Sequence, residues 1–238
     1  MTDPAEVERF AHARAQVLAR IAAACARAGR APGAVELVAV SKTVPLDRVR
    51  AAVAAGQRVF GENRVQEGAA KAADIDDPDV AWRLVGPLQS NKARRAVERF
   101  AAIDSVDSLA LAQRLDRLAA GLQRSVALPI LLEVNVDADP AKHGWAPERL
   151  GSELPDLLAL EHLRVDGLMT IGRPPERPDD ARPTFRALRT LRDRLRDRDD
   201  RLGGELSMGM SADFEVAVEE GATLVRVGEA LFGRRHRH

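Results

Sequence analysis

Short apolar runs alternate along the chain with longer stretches whose apolar residues recur every three or four positions. Residues 35–40 are apolar at five of six positions, with Glu36 the exception. Such a run, carried on to 41, reads as a strand buried on both faces. Pro45 opens and Gly56 closes a helix over 46–55, the expected asymmetry of helix ends. The alternation then repeats. Strand 58–61 precedes a helix near 64–74, strand 82–86 one near 91–99, and strand 101–104 one over 108–120. Strand 130–136 precedes a helix over 147–158, and strand 163–169 one near 180–198. Strand 205–208 precedes a helix over 212–220, and strand 223–227 a short one over 229–232. Ahead of all these, Val7, Phe10, Ala13, Val17, Leu18, Ile21 and Cys25 sit at helical spacing, and Gly29 offers a stop.

Eight strand–helix units with one extra helix in front imply parallel strands joined by right-handed crossovers. In about 200 residues that pattern fits a (β/α)8 TIM barrel. An open doubly wound sheet is the alternative, but no Gly-x-Gly-x-x-Gly follows the first strand. No linker or shift in composition breaks the pattern, so residues 1–238 are expected to form one barrel domain. Residues 1–30 are its leading helix and residues 234–238, Arg-Arg-His-Arg-His, a disordered tail. The Asp/Arg-rich stretch 192–201 reads as a solvated helix face.

Composition narrows the partners. Thirty-six acids balance 36 bases, which argues against a general nucleic-acid binder. The one cysteine, Cys25, fits a reducing compartment and reads as a small buried side chain. The acidic start carries no secretory pattern, and no run approaches the roughly 18 apolar residues of a membrane span. A cytoplasmic protein without membrane contact is expected. His12, His143, His162, His236 and His238 show no metal-ligand spacing.

Lysine is scarce. Lys42, Lys71, Lys92 and Lys142 are the only lysines among the 36 basic residues. Where positive charge alone is needed this chain supplies Arg. A Lys at the C-terminal end of a buried strand therefore points to an amine able to form a Schiff base. A barrel carries its active site at the C-terminal ends of its strands. There the chain presents Ser41-Lys42, Gly61-Glu62-Asn63, Gly86-Pro87-Leu88-Gln89-Ser90, Asp104-Ser105, Asn135, Met169-Thr170, Ser207-Met208-Gly209-Met210-Ser211 and Arg226-Val227-Gly228. The turns after strands 7 and 8 read as a phosphate site, although Gly209 and Gly228 could also serve tight turns alone. A phosphate site facing a strand-end lysine suggests pyridoxal 5′-phosphate.

Several of these stretches carry a wider likeness. Ala39-Val40-Ser41-Lys42-Thr43, Phe60-Gly61-Glu62-Asn63 with Val65-Gln66-Glu67, Gly86-Pro87-Leu88-Gln89-Ser90-Asn91-Lys92, Gly167-Leu168-Met169-Thr170, Leu206-Ser207-Met208-Gly209-Met210-Ser211 and Val225-Arg226-Val227-Gly228 together resemble the pyridoxal-phosphate homeostasis proteins. These are relatives of the N-terminal barrel of alanine racemase. The resemblance implies a barrel like fold type III of the pyridoxal-phosphate proteins, without the β-domain that follows it in the racemases. It implies that Lys42 carries the cofactor as an internal aldimine. It places Ser207, Arg226 and Gly228 at or near the phosphate and Asn63 and Met169 in the pocket lining, with the 89–92 loop at the mouth. It also implies a monomer without established turnover that buffers the cofactor or delivers it to pyridoxal-phosphate-dependent apo-enzymes.

Three positions depart from the family pattern. Arg64 stands where Tyr is common, Arg83 where His is common, and Glu229 where a hydroxyl residue usually follows the strand-8 glycine. A carboxylate aimed at a phosphate is repelled, so Glu229 is expected to turn away. Racemisation needs an acid–base group on each face of the cofactor, and the racemases use a tyrosine as the second. This chain contains no tyrosine, and His143 reads as a loop residue. A binding protein without catalytic residues is therefore the first reading. A racemase or lyase of low activity is the alternative, and a cofactor-free Schiff-base aldolase the third.

Overall fold

In a computed structural model, residues 2–124 and 126–233 are described. The tail expected at 234–238 lies outside them. The elements follow in chain order as α1 Pro4–Arg27, β1 Glu36–Val40, α2 Leu46–Ala54, β2 Val59–Glu62, α3 Val65–Ile75 and β3 Ala81–Leu84. A tight helical turn at Ser90–Lys92 leads into α4 Ala93–Arg99. Then come β4 Ala102–Val106, α5 Leu109–Gly121, β5 Leu128–Glu133, α6 Pro147–Leu158 and β6 Leu163–Met169. A second tight turn, Pro178–Ala181, precedes α7 Arg182–Arg196. β7 Glu205–Ser207, α8 Phe214–Glu219, β8 Leu224–Val227 and α9 Glu229–Phe232 complete the order.

The eight strands close into a barrel in sequence order, and β8 pairs with β1. Every neighbouring pair is parallel. Strand side chains alternate between the two faces of the wall. Leu37, Ala39, Phe60, Trp82, Leu84, Ile103, Leu132, Leu206 and Val225 belong to the large outer core against the helices. Their neighbours Val38, Val40, Gly61, Arg83, Met169, Ser207 and Arg226 alternate to the interior. Arg83 fills part of that interior, 2.9 Å from Asp104 and 3.5 Å from Glu205, which opens β7. The departure at position 83 thus supplies an ion pair inside the barrel.

The leading helix seals one flank. Asp3 caps α1 by accepting the Ala5 N–H at 3.0 Å, with Pro4 at the first helical position. Its buried face includes Phe10, Val17, Ile21 and Cys25. Phe10 packs on Phe232 with ring centroids 5.1 Å apart. Arg20 lies 4.5 Å over the Phe214 ring and pairs with Glu215 at 2.8 Å. Among the described residues no helix is long and apolar enough to cross a membrane, and no cluster of His, Cys, Asp and Glu could hold a metal ion.

Candidate functional site

A cavity of about 440 Å³ opens at the C-terminal end of the barrel. Its wall includes Lys42, Asn63, Arg226, Gly228 and Ser211 as polar or small positions, and Val40, Val85, Ile171, Met210 and Phe232 as apolar ones. A larger hollow of about 730 Å³ lies on the flank between α6 and α7, lined by residues such as Val136, Pro147, Arg182 and Leu191. It holds none of the candidate residues. The strand-end cavity is where loops from many strands converge, which makes it the candidate site.

Four of the six candidates, Lys42, Asn63, Arg226 and Gly228, share the cavity wall. Ser207 stands behind it. Fully buried in β7, its hydroxyl accepts from Arg226 Nη1 at 2.7 Å, while Arg226 Nη2 donates to the Thr170 carbonyl at 2.8 Å. Met169 is equally buried in β6, beside Ser207 in the sheet register, and is not part of the cavity wall. Ile171, two residues on, takes that place in the wall, while the Thr170 carbonyl holds Arg226.

Arg226 is 4 % exposed and has no carboxylate within ion-pair distance among the described residues. Burial pulls its affinity for the proton down, while Asp104, Glu133 and Asp213 oppose that only at longer range. A buried guanidinium satisfied by neutral oxygens alone keeps its charge available to an anion.

The turns around it are tightly built. The Arg226 N–H donates to the Gly209 carbonyl at 3.0 Å. Gly209 has φ +92°, and a Cβ there would lie 2.5 Å from that of Ala217, so only glycine fits this turn. Asp213 closes the turn by accepting the Met210 N–H at 2.7 Å. Ser211 accepts the Ala230 N–H at 3.3 Å, which ties the β7 turn to α9. A Cβ on Gly228 would come 3.1 Å from the Val40 carbonyl, so the β8 end sits close against β1.

Glu229, the first residue of α9, follows directly on Gly228 and is one of the residues of the cavity wall. Arg64 precedes α3 and is not part of the wall; neither are Gln89, Ser90, Asn91 and Lys92. His143 is an exposed loop residue 3.8 Å from Asp107.

Sequence reasoning missed a buried charge cluster behind Lys42. Lys71 Nζ donates to Glu62 Oε1 at 2.8 Å, to Glu67 Oε1 at 2.7 Å and to the Ser41 carbonyl at 2.7 Å. The Ser41 hydroxyl donates to the same Glu62 oxygen at 2.7 Å. One signal could have found it: Lys71 is one of four lysines in a chain that otherwise uses Arg.

Comparison with known proteins adds to this geometry. The family model described as "Alanine racemase, N-terminal domain" matches residues 14–236. A pyridoxal phosphate homeostasis protein of Pseudomonas aeruginosa is 46% identical over 225 residues, covering 93% of this chain and 94% of that one. Its namesake in Aquifex aeolicus is 43% identical over 220 residues, covering 92% and 96%. Among solved structures, PipY of Synechococcus elongatus PCC7942 with PLP bound is 47% identical with a TM-score of 0.80, covering 90% of this chain and all of that one.

Proposed function

We infer the function from a firm premise: the chain belongs to the alanine racemase N-terminal-domain family, and its similarity runs over nearly its whole length to pyridoxal phosphate homeostasis proteins. We propose that it binds pyridoxal 5′-phosphate and serves the homeostasis of that cofactor.

The residues present fit the group. When bound, pyridoxal phosphate supplies an aldehyde that condenses with an amine, a conjugated ring and a phosphate dianion. Lys42 offers the amine from the end of β1. Arg226 offers a buried positive charge without a carboxylate partner among the described residues, which is the observation that carries the reading. Ser207 and the Thr170 carbonyl fix two of the guanidinium nitrogens and so orient the rest. Ser211 and Gly228 flank the same end, and Val40, Val85, Ile171 and Met210 supply an apolar surface for a ring. The volume lies within the 300–1,000 Å³ or so typical of small-molecule sites. Asn63 adds a neutral hydrogen-bonding group to the same wall. Met169 would act from beneath, by filling the interior behind Ser207.

All of these groups come from one chain, so a monomer suffices and residues 2–233 work as one cofactor-binding unit. Pyridoxal-phosphate-dependent apo-enzymes are the natural recipients of a cofactor held this way. The absence of tyrosine supports a carrier over a racemase. Glu229 among the wall residues is the one observation on the side of a low-activity racemase or lyase, since its side chain is of an acid–base type.

Protein mixed with pyridoxal phosphate should show an absorption band that borohydride abolishes, with the reduced cofactor on the peptide containing Lys42. Lys42→Ala should lose the fixed fraction. A protein that stays colourless with excess cofactor would overturn the binding reading. Steady interconversion of D- and L-amino acids, lost in Glu229→Gln, would replace carrier with enzyme.

A further inference from the structure

The backbone at Lys42 is unusual. Val44 N–H donates to the Ser41 carbonyl at 2.9 Å and closes a four-residue turn over 41–44. Thr43, third in that turn, has φ +62°. This is the left-handed region, where a β-branched residue is strained and glycine is the usual occupant. The chain nevertheless places threonine there.

The buried cluster holds both peptide groups that flank Lys42. On one side the Ser41 carbonyl accepts from Lys71 Nζ at 2.7 Å. On the other the Thr43 N–H donates to Glu67 Oε1 at 2.6 Å. Glu67 and Lys71 are joined at 2.7 Å, and Lys71 reaches Glu62 at 2.8 Å. The Ser41 hydroxyl closes the ring onto Glu62 at 2.7 Å. Lys71 is 7 % exposed and Glu62 fully buried, so these bonds face little competition from water. Position 42 is thus clamped front and back by ions from β2 and α3, and Lys42 is itself one of the residues of the cavity wall.

We propose that Glu67, Lys71 and Glu62 are positioning residues for Lys42, holding a strained turn so that its amine is presented to the cavity. The inference rests on Lys42 being the residue that carries the cofactor. Positioning has a consequence that fold support lacks. Loosening the clamp slows attachment at Lys42 while the phosphate end, held from β8, still binds. A displacement of about 1 Å at a reacting group costs up to about a hundredfold in rate.

The test uses Glu67, which lies at the open edge of the cluster and is 24 % exposed at its side chain, so its variants should fold. Three variants, Glu67→Ala, Glu67→Gln and the double Glu67→Ala with Thr43→Gly, are loaded with pyridoxal phosphate and sampled over time with borohydride. Amide exchange at Thr43 and Val44 is followed in the cofactor-free proteins. Glu67→Ala should attach cofactor to Lys42 about tenfold more slowly, with total retained cofactor nearly unchanged and faster exchange confined to the turn. Glu67→Gln, whose amide oxygen can accept the same N–H, should restore the rate. The double variant should recover most of it, because glycine adopts the positive φ without the clamp. Attachment at the wild-type rate with unchanged exchange in Glu67→Ala would overturn the proposal. So would parallel loss of attachment, total binding and exchange protection across the whole barrel, which marks a general fold defect. Wild-type protein that never attaches cofactor at Lys42 refutes the binding reading instead, while turn exchange still reports on the clamp.

Discussion

Two buried cations stand at neighbouring corners of the barrel mouth, and they are partnered in opposite ways. Lys71, behind the end of β1, has two carboxylates and a carbonyl on its three protons. Arg226, in β8, has a hydroxyl and a carbonyl and no carboxylate within ion-pair range among the described residues. Both have left water, and both carry the desolvation cost of doing so. At Lys71 that cost is met inside the protein, so the charge is used up in holding local structure. At Arg226 it is met only in part by the described residues, which is the ground for proposing that an anion completes it from outside. The pairing of a buried charge separates a structural ion from a binding one better than burial does.

Removing each cation sharpens this contrast. Lys71→Met leaves two carboxylates facing each other in a nearly dry pocket and should cost about 3–5 kcal/mol of stability, as breaking a buried pair does. Urea unfolding of the cofactor-free protein measures it. Arg226→Gln should leave the cofactor-free protein within about 1 kcal/mol of wild type, or above it, because an incompletely compensated charge has gone. Its cost should appear in cofactor binding instead. One charge-assisted contact is worth about 1.5–3 kcal/mol, hence a rise in Kd of about tenfold to a hundredfold. If Arg226→Gln unfolds as easily as Lys71→Met and binds cofactor like wild type, the contrast collapses and the anion site lies elsewhere.

The fold was legible because two periodicities alternate eight times, and burial on both faces keeps parallel strands apolar. Boundaries slipped where side chains capture backbone. The apolar run 130–136 suggested a strand through Val136, yet β5 ends at Glu133. Asn135 donates to the Asp139 carbonyl and accepts its N–H, which folds the chain into a loop instead. The strand also begins earlier, at Leu128, with Pro129 tolerated near its start. In the candidate site, the gathering of Lys42, Asn63, Arg226 and Gly228 at one cavity was legible because each lies at or near a strand end, and strand ends converge in a barrel. Met169 ends its strand too, but on the inward step beneath the cavity. Thr170 contributes only its carbonyl, which no side-chain pattern announces. The Glu62–Lys71–Glu67 cluster spans a strand and a helix, so no local spacing betrays it.

The smallest expected effect asks whether the structural cluster is itself fully compensated. Glu62 accepts from Lys71 and Ser41 through Oε1, but its Oε2 is buried without a hydrogen-bond partner among the described residues. Burial outweighs those two bonds and holds its carboxyl above the ordinary 4.5, with Glu67 adding like-charge repulsion. A raised carboxyl binds its proton more tightly in the folded state. It therefore favours folding fully below the unfolded value, and that contribution is lost as pH climbs through the folded one. Relative to Glu62→Gln, which cannot titrate, wild type should lose stability as pH rises from about 4.5 and then run parallel to the variant at higher pH. Urea midpoints of the pair, compared from about pH 4 to about pH 8, show the difference. If wild type instead gains on the variant over that rise, the bonds from Lys71 and Ser41 outweigh burial. The Lys71 corner would then be a net stabilising ion pair as well as a closed one, and the contrast with the Arg226 corner would be the greater for it.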